Sequence, residues 1–319
     1  MEGTYNGGEY AGKIMENINQ VLVGKETQVE YAMIALLAGG HLLLEDVPGV
    51  GKTTLANALA RSIDVSFGRI QFTPDTLPSD VTGISVYNMK AGSFEYREGA
   101  IMNHILLADE INRTSPKTQA ALLEAMEEKQ VTVDGTIYPI SQPFMVIATQ
   151  NPIDFLGTYN LPEAQLDRFL MKISLGYPDE EQERKMANNF LEDKRVQDLH
   201  SVADQAMVLR LQEEVRKVKV QEDVAGYIIQ IIRETRGMEK ITLGASPRAT
   251  LALIRAAQAE AFLKGRTYVI PDDVQKMIKP VLSHRLVLSM EAKLNKITAE
   301  KLLEDIKKKI KVPILKGKL

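Results

Sequence analysis

Short, uninterrupted apolar runs separate helical patterns through the first half of the chain. The runs are too short for helices and show no polar alternation, which is typical of strands buried on both faces of a parallel sheet. They occupy residues 41–44, 105–108 and 144–148, and residues 170–175 form a further candidate strand. Helical spacing of apolar residues is clear over residues 25–38, 53–62 and 116–129. The pattern predicts an α/β domain built on a parallel sheet.

The pattern changes after Pro178. Candidate helices follow one another without a convincing strand between them, at residues 179–193, 204–218, 221–236, 247–263, 271–284 and 298–311. We therefore predict an α/β core over residues 1–180 and a smaller all-helical domain over residues 181–319. The glycine-rich residues 1–12 are expected to form a loose end. Residues 70–86 are expected to form an irregular connection that ends in a short strand.

Two β-hairpins are predicted inside the core. The first pairs the stretches around Tyr87 and Tyr96 across a turn at residues 90–93. The second joins residues 131–133 to residues 136–138 through the dipeptide Asp134-Gly135, a strong signal for a tight turn. The core is therefore expected to carry two inserted hairpins in addition to its parallel sheet.

The first apolar run leads into the segment Glu45-Asp46-Val47-Pro48-Gly49-Val50-Gly51-Lys52-Thr53-Thr54, after which a helix is predicted. Strand, glycine turn and helix form the context of a phosphate-binding loop. Gly49 and Gly51 allow backbone N–H groups to approach an anion, and the start of the helix adds further donors. Lys52 would reach the β- and γ-phosphates of a nucleotide, and the Thr53 hydroxyl would hold Mg²⁺.

One position departs from the phosphate-loop pattern G-x-x-x-x-G-K-[ST]. The pattern has glycine where this chain has Asp46. Because aspartate tolerates a positive φ better than most residues, we expect the turn to survive. Taken alone, the segment could also be a glycine-rich turn with a solvated lysine, and the remaining residues must separate these two interpretations.

Polar residues follow two further predicted strands at the point where each strand ends. Asp109 and Glu110 follow the second run, and Asn151 follows the third. Because ligands gather at the carboxyl ends of parallel strands, these side chains are expected to meet the phosphate loop. Asp109 can hold Mg²⁺ through a water, Glu110 can polarise a water for in-line attack, and Asn151 can orient that water. An acidic turn and an Asn-Pro turn are the alternative interpretations.

Two arginines complete the candidate site. Arg168 lies shortly after Asn151 in the chain, and Arg248 occupies the first turn of a predicted helix that Ser246 caps. Arg248 therefore adds a full charge to a helix end that already favours anions. Each of the two could instead be an exposed surface arginine, with Arg168 paired to Asp167.

Composition narrows the class of protein. Hydrophobic residues make up 45% and charged residues 25% of the chain, and the net charge of −3 favours neither nucleic acid nor an anionic membrane. Since neither a long apolar run nor a secretory leader is recognised, we predict a cytoplasmic protein without a membrane span. The lack of cysteine excludes disulfides and thiolate sites, and the four histidines have no metal-ligand spacing. The lysines within residues 307–319 are interpreted as a solvated helix end, with a basic docking arm as the alternative.

Taken together, these residues resemble the MoxR family of AAA+ ATPases across nearly the whole chain. The resemblance rests on residues 23–25, 45–54, 107–113, 121–128, 148–152, 161–169 and 244–248. It implies a P-loop AAA+ core with inserted hairpins, followed by a helical lid. It also implies Walker A residues at Lys52 and Thr53, Walker B residues at Asp109 and Glu110, and a sensor 1 residue at Asn151.

The same resemblance implies roles for the arginines and for the nucleotide contacts. Arg168 would be an arginine finger that acts on the neighbouring subunit. Arg248 would be the sensor 2 residue. Because Arg248 lies on the helical domain and Lys52 on the core, closure over ATP is expected to bring the two domains together. The implied nucleotide-binding residues are Gly24, Pro48, Gly49, Val50, Gly51, Lys52, Thr53, Thr54 and Asp109. Thr53 and Asp109 would hold Mg²⁺ through water.

The implied function is an ATP-driven, chaperone-like remodelling or maturation factor. It would work as a homo-oligomeric ring, expected to be a hexamer, on a client protein, in some cases with a protein that carries a von Willebrand factor A domain. A nucleic-acid motor and a nucleotide-gated binding module with little turnover stay open as alternatives. The hairpin at residues 130–140 has no lysine or arginine, which argues against nucleic acid. The presence of both Glu110 and Arg168 favours hydrolysis.

Overall fold

The computed structural model describes residues 7–151, 159–192 and 195–314. Its strands are β1 (Leu42–Glu45), β2 (Phe67–Gln71), β3 (Gly83–Asn88), β4 (Ser93–Glu98), β5 (Ile105–Asp109), β6 (Gln130–Val133), β7 (Thr136–Pro139), β8 (Met145–Gln150), β9 (Met171–Ile173), β10 (Ile241–Leu243) and β11 (Val287–Leu288). Its α-helices are α1 (Gly7–Asn19), α2 (Glu26–Leu37), α3 (Lys52–Ser62), α4 (Pro78–Thr82), α5 (Pro116–Glu128), α6 (Glu163–Leu166), α7 (Glu180–Leu191), α8 (Gln205–Lys217), α9 (Glu222–Gly237), α10 (Pro247–Leu263), α11 (Pro271–Leu282), α12 (Met290–Leu294) and α13 (Ala299–Lys309).

A five-stranded parallel sheet lies at the centre of the first domain, with strand order β2-β5-β8-β1-β9. Neighbouring residues of β1 face opposite sides of this sheet. Leu42 and Leu44 pack into one apolar cluster, whereas Leu43 packs into another. Both faces of the strand are therefore buried, as its uninterrupted apolar sequence predicted. The predicted α/β core on a parallel sheet is confirmed.

The edge strand β2 was not predicted. Its sequence, Phe-Gly-Arg-Ile-Gln, mixes apolar and polar residues without a regular period and is only partly buried. A strand at the edge of a sheet has one paired side and needs no continuous apolar run. The expected irregular connection therefore begins after Gln71 and includes the short helix α4.

The expected loose end at residues 1–12 is wrong for the part that the structure describes. Helix α1 begins at Gly7, and it buries Ala11, Ile14 and Ile18. A Cβ atom on Gly7 would lie only 2.6 Å from the Phe262 ring. The absence of a side chain at Gly7 therefore lets α1 pack closely against the helical domain. Residues 1–6 lie outside the described residues.

The second domain is helical as predicted, with two additions. Strands β10 and β11 form a small antiparallel sheet, and α12 is an extra short helix. The predicted boundary near residue 180 falls at the start of α7, seven residues after the end of β9. One apolar cluster nevertheless continues across it, because α2 packs against α8 and α10 and Gln212 Nε2 donates to Leu36 O (2.7 Å). The two parts of the chain share a core.

Both predicted hairpins are present. They are β3–β4 and β6–β7, and the rings of Tyr96 and Tyr138 stack between them with centroids 3.9 Å apart.

Among the described residues, no helix combines the length and the apolar character that crossing a membrane would require.

Candidate active site

The connection from β1 to α3 has the geometry of a phosphate-binding loop. Gly49 and Gly51 have φ angles of +86° and +99°, a left-handed backbone that glycine adopts without steric cost. Gly51 immediately precedes α3, and Lys52 and Thr53 are the first residues of that helix. The loop therefore presents unpaired N–H groups and the positive end of the helix dipole to the same region. Lys52 Nζ donates to Asp46 O (3.0 Å).

Asp46, which replaces the expected glycine, is buried and makes specific contacts. Its Oδ1 accepts hydrogen bonds from Ser174 Oγ (2.6 Å) and Gly176 N (3.1 Å), and its Oδ2 accepts one from Leu175 N (2.6 Å). Asp46 is not among the described non-glycine residues with a positive φ. The turn survives as predicted, but the expected reason was wrong. The backbone here needs no glycine, and the carboxylate binds the segment that follows β9.

Asp109 and Glu110 lie at the carboxyl end of β5, next to the loop. Asp109 Oδ1 accepts from Thr149 Oγ1 (2.7 Å), and its Oδ2 accepts from Arg69 Nη2 (2.7 Å). Glu110 has a left-handed backbone with φ of +57°, and its N–H donates to Thr149 Oγ1 (2.9 Å). Its carboxylate accepts from Arg113 Nη1 (2.8 Å). Thr149 on β8 therefore fixes both acidic residues of β5.

The sequence interpretation missed three residues of the site, which are Arg69, Thr149 and Arg113. Arg69 lies on β2, and an unrecognised strand gives no indication of where its side chains meet. Thr149 stands two positions before Asn151, so its place near the carboxyl end of a predicted strand was the available signal. Arg113 lies one turn after Glu110, a spacing that allows the observed contact.

A cleft of about 420 Å³ brings the predicted loop and acidic residues together. Its lining consists of Pro48, Gly49, Gly51, Lys52, Thr53, Thr54, Arg69, Gln71, Asp109 and Glu110. Val50, by contrast, is buried beneath the loop. Asn151 directly follows β8, and Pro152 of the same motif lies outside the described residues. We call this space the loop cleft.

Gly24 lines a different, neighbouring cleft together with Gln182 of α7. Its φ is +68°, and a Cβ atom there would lie 2.2 Å from Gln182 Cδ. Glycine at this position therefore permits both the turn before α2 and the close approach of α7. Gly24, which was predicted to contact the nucleotide, therefore does not line the loop cleft.

Arg168 and Arg248 meet in a second cleft, of about 320 Å³. Arg168 Nε donates to Glu127 Oε2 (2.9 Å), and Arg248 Nη2 pairs with the other oxygen of the same carboxylate. Partial burial acts to raise the pKa of Glu127, but hydrogen bonds and charge from Arg248 and then Arg168 outweigh it and lower that pKa. We call this space the arginine cleft.

Arg248 lies apart from the phosphate loop of its own chain. The predicted closure of the helical domain over ATP stays a prediction. Among the described residues, the linings of the loop cleft and the arginine cleft share no member. The reason is the packing of the helical domain, in which Ser246 at the start of α10 donates to Asp167 Oδ2 (2.7 Å) and so holds α10 beside Arg168.

The parallel sheet, the glycine loop at the start of α3 and the acidic end of β5 define a P-loop ATPase of the AAA+ class with a helical lid. Comparison with protein families agrees. Residues 41–171 match the ATPase family associated with various cellular activities (AAA), and residues 233–306 match the AAA lid domain.

Relatives along the whole chain identify the family more closely. Chaperone MoxR1 of Mycobacterium tuberculosis is 40% identical over 93% of this chain and 80% of its own length. The uncharacterized protein YeaC of Bacillus subtilis is 52% identical over 95% of both chains. A crystal structure from Cytophaga hutchinsonii, described as a "putative ATPase", has a TM-score of 0.90 and 40% identity over 97% of this chain and 96% of its own. The chain belongs to the MoxR family of AAA+ ATPases.

Proposed function

We propose that the chain binds Mg·ATP in the loop cleft and hydrolyses it with two arginines that a neighbouring subunit supplies. One observation carries the proposal. The loop and the carboxylates lie in one cleft, whereas Arg168 and Arg248 lie together in another. Each chain therefore holds two complementary parts of a phosphoryl-transfer site, and a ring of identical chains can join them head to tail.

The residues of the loop cleft fit a nucleoside triphosphate and its magnesium ion. The left-handed glycines leave the backbone N–H groups accessible, and Lys52 adds a charge beside them. Thr53 and Asp109 would hold Mg²⁺, whose charge balances that of the phosphate oxygens. Arg69, now paired with Asp109, would release this carboxylate and turn its guanidinium towards phosphate.

Glu110 is the proposed group that orients and polarises the attacking water. Its backbone is fixed by Thr149, while its carboxylate is held by the flexible side chain of Arg113 at an exposed position. The main chain is thus fixed, and the carboxylate has a charged partner that it can exchange. Asn151, at the end of the adjacent strand, is the proposed second group that positions the water.

Arg168 and Arg248 are proposed to stabilise the charge on the phosphoryl group of the neighbouring subunit. An arginine supplied by a neighbour can raise the rate of such a reaction by ~10³-fold or more. Glu127 keeps both guanidinium groups side by side until stronger anions compete for them. The assembly is proposed to be a hexameric ring on the family resemblance. It is proposed to remodel a client protein, which the name of the Mycobacterium tuberculosis relative as a chaperone supports. A partner with a von Willebrand factor A domain is proposed on the family resemblance alone.

Binding and hydrolysis can be separated by two substitutions. Lys52→Ala should lose most ATP affinity, because this loop offers no other cation to the β- and γ-phosphates. Glu110→Gln should bind Mg·ATP normally, since the two side chains are nearly isosteric, but hydrolysis should fall at least ~10²-fold. Binding is measured with a fluorescent ATP analogue and turnover by phosphate release.

The matched control is Glu124→Gln, which changes an exposed carboxylate on α5 and should leave both quantities unchanged. Turnover by Glu110→Gln at the wild-type rate would contradict the role assigned to Glu110. Binding without measurable turnover in the wild type would instead favour a nucleotide-gated binding module. Stimulation of turnover by DNA but not by protein would favour a nucleic-acid motor.

A further inference from the structure

Arg285 is a buried arginine of the helical lid that reaches into the α/β core. It ends the 3-10 turn Ser283–Arg285, directly after α11, and its side chain is only 2% exposed. Its Nε donates to Asp167 Oδ1 (2.7 Å). Within the lid it also contacts Val281 O and His284. The remaining contacts of its guanidinium lead to one short segment of the core.

This segment is the one that carries Arg168. Arg285 Nη2 donates to Asp167 O (3.2 Å) and to Phe169 O (2.6 Å), and its Nη1 donates to Leu170 O (3.2 Å). Arg285 therefore binds the backbone carbonyls on both sides of Arg168. A planar guanidinium with five donors can span these acceptors, which a single ammonium group cannot do.

The carboxylate of Asp167 adds a second connection. Its Oδ2 accepts from Ser246 Oγ, and the same hydroxyl accepts from Ala249 N (3.3 Å) at the start of α10. Arg248 lies two residues after Ser246, in the first turn of α10. Asp167 thus joins Arg285 to the helix end that holds the second arginine of the arginine cleft. The backbone of Arg168 and the start of α10 are fixed by one connected set of bonds.

Stability alone does not require an arginine at this position. Removing a guanidinium from water is costly, and a buried ion pair can often be replaced by apolar residues without loss of stability. What apolar residues cannot provide is a set of directed donors to three backbone carbonyls. The contacts therefore indicate that Arg285 positions the backbone around Arg168 rather than only filling space in the core.

We propose that Arg285 is a positioning residue for hydrolysis in the neighbouring subunit. It fixes the main chain of Arg168 to the lid, so the lid of one subunit sets the arginine that serves the ATP of the next. The inference rests on the proposed function, since it takes Arg168 to act on the neighbour. It extends that function by linking the position of the lid in one subunit to turnover in another.

The direct test is Arg285→Lys, which keeps the charge but cannot bind the carbonyls on both sides of Arg168. We expect kcat at saturating ATP to fall about 10- to 100-fold, with the Kd for ATP unchanged within about threefold. The matched control is Arg266→Lys. Arg266 is a lid arginine that pairs with Asp273 through bonds of 2.5 and 2.6 Å, and its contacts lie within the lid. It should keep kcat within about twofold.

Mixing and double substitution separate positioning from general damage. Arg285→Lys chains should regain turnover with Lys52→Ala chains, which offer an intact Arg168, and should regain none with Arg168→Ala chains. The double variant Arg168→Ala with Arg285→Lys should be no slower than Arg168→Ala alone, because both changes disable the same group. A purely structural role would instead add its loss to that of Arg168→Ala and leave mixtures inactive.

The outcomes distinguish this inference from the proposed function. If Arg168→Ala is slow and is rescued by Lys52→Ala, but Arg285→Lys turns over at the wild-type rate, Arg285 has no positioning role and the proposed function stands. If Arg168→Ala turns over at the wild-type rate, both fall. Should Arg285→Lys fail to fold, Asp167→Ala removes the carboxylate that binds Arg285 and Ser246, and it should give the same pattern of rescue. Wild-type turnover by a folded Asp167→Ala would equally overturn the inference.

Discussion

Glu127 balances two positive charges that would otherwise repel each other. Its two carboxylate oxygens are shared between Arg168 and Arg248, and its lowered pKa keeps it ionised at neutral pH. Two guanidinium groups can then lie side by side at a partly exposed position. The phosphates of ATP bound to a neighbouring subunit would have to displace this carboxylate. Weaker anions would therefore not bind the two arginines.

His41 predicts a pH dependence of stability. It is buried at the start of β1, where its Nδ1 accepts from Val146 N (3.0 Å) and its Nε2 contacts Met126 O (3.2 Å). Burial lowers the pKa of His41 to about 4 from 6.5, against a smaller opposing effect of the Met126 carbonyl. The unfolded chain therefore binds a proton at a higher pH than the folded chain does. Stability is fully present above pH 6.5 and is lost as the pH falls towards 4, by about 3 kcal/mol at most for this residue.

The measurement is the free energy of unfolding between pH 7.5 and pH 4.5, for the wild type and for His41→Gln. His284, which is also buried and has a lowered pKa, contributes to the slope of both proteins. The wild type should lose more stability than His41→Gln over this range. Equal slopes, or a pKa near 6.5 for His41 in a nuclear magnetic resonance titration, would contradict the assignment.

At the scale of residues, the sequence predicted most members of the loop cleft, because they directly follow predicted strands and the carboxyl ends of parallel strands meet at one edge of a sheet. Lys52, Thr53, Asp109 and Glu110 do line one cleft. Arg69 could not be predicted, since its strand has no distinctive pattern. The shared carboxylate of Glu127 was equally inaccessible, because its two partners come from distant segments whose meeting depends on how the lid packs.

The phosphate loop and the chain that leads into the lid are held together at one point. Asp46 accepts from residues that follow β9, including Leu175 N and Gly176 N. From the opposite direction, buried Lys25 donates to Gly176 O (3.2 Å) and Tyr177 O (3.1 Å). Charged groups of opposite sign thus fix adjacent positions of the connection between core and lid. A shift of the loop on nucleotide binding would act directly on this connection.

Restoring the glycine of the general motif should therefore be harmful. Asp46→Gly removes a buried acceptor of hydrogen bonds from Ser174, Leu175 and Gly176, and it takes the side-chain partner from the buried Leu175 N–H and the partly buried Gly176 N–H. We expect the free energy of unfolding to fall by about 2 kcal/mol or more. Denaturant titration gives the value, and Asp46→Asn, which keeps the shape and part of the bonding, should lose less. A glycine variant as stable as the wild type would show that these bonds are dispensable.

At the scale of elements, buried strands and long helices were predictable, and edges were not. The apolar runs of β1, β5 and β8 have no other stable place than the centre of a sheet. By contrast, β2 is half exposed, β10 and β11 are very short, and α1 begins with glycines that only its packing explains. Their structure depends on tertiary contacts more than on local pattern.

In the whole molecule, the lid and the core share one apolar cluster, so the position of the lid is part of the fold of each chain. This packing separates Arg248 from the loop cleft of its own chain and joins it to Arg168. The sequence showed which helix carries Arg248 but not which cleft that helix faces. Each chain therefore holds the phosphate loop of one active site and the arginine pair of another. This is the main reason to propose a ring in which active sites are shared.

Mixing two inactive variants tests directly whether neighbouring subunits share an active site. Arg168→Ala chains keep an intact phosphate loop, and Lys52→Ala chains keep both arginines of the arginine cleft. In rings assembled at equal ratio, roughly a quarter of the interfaces join an intact loop to an intact arginine pair, since each interface is head to tail. Phosphate release should therefore recover to a clear fraction of the wild-type rate. The control is a mixture of Lys52→Ala with chains that carry both substitutions, in which no intact loop exists.

The measurement is phosphate release across mixing ratios, with co-assembly followed by pull-down of differently tagged chains. An active site shared between neighbouring subunits predicts activity that is absent in each parent, highest at intermediate ratios and absent in the control. Co-assembled mixtures that stay as inactive as their parents at every ratio would contradict a site shared between neighbouring subunits.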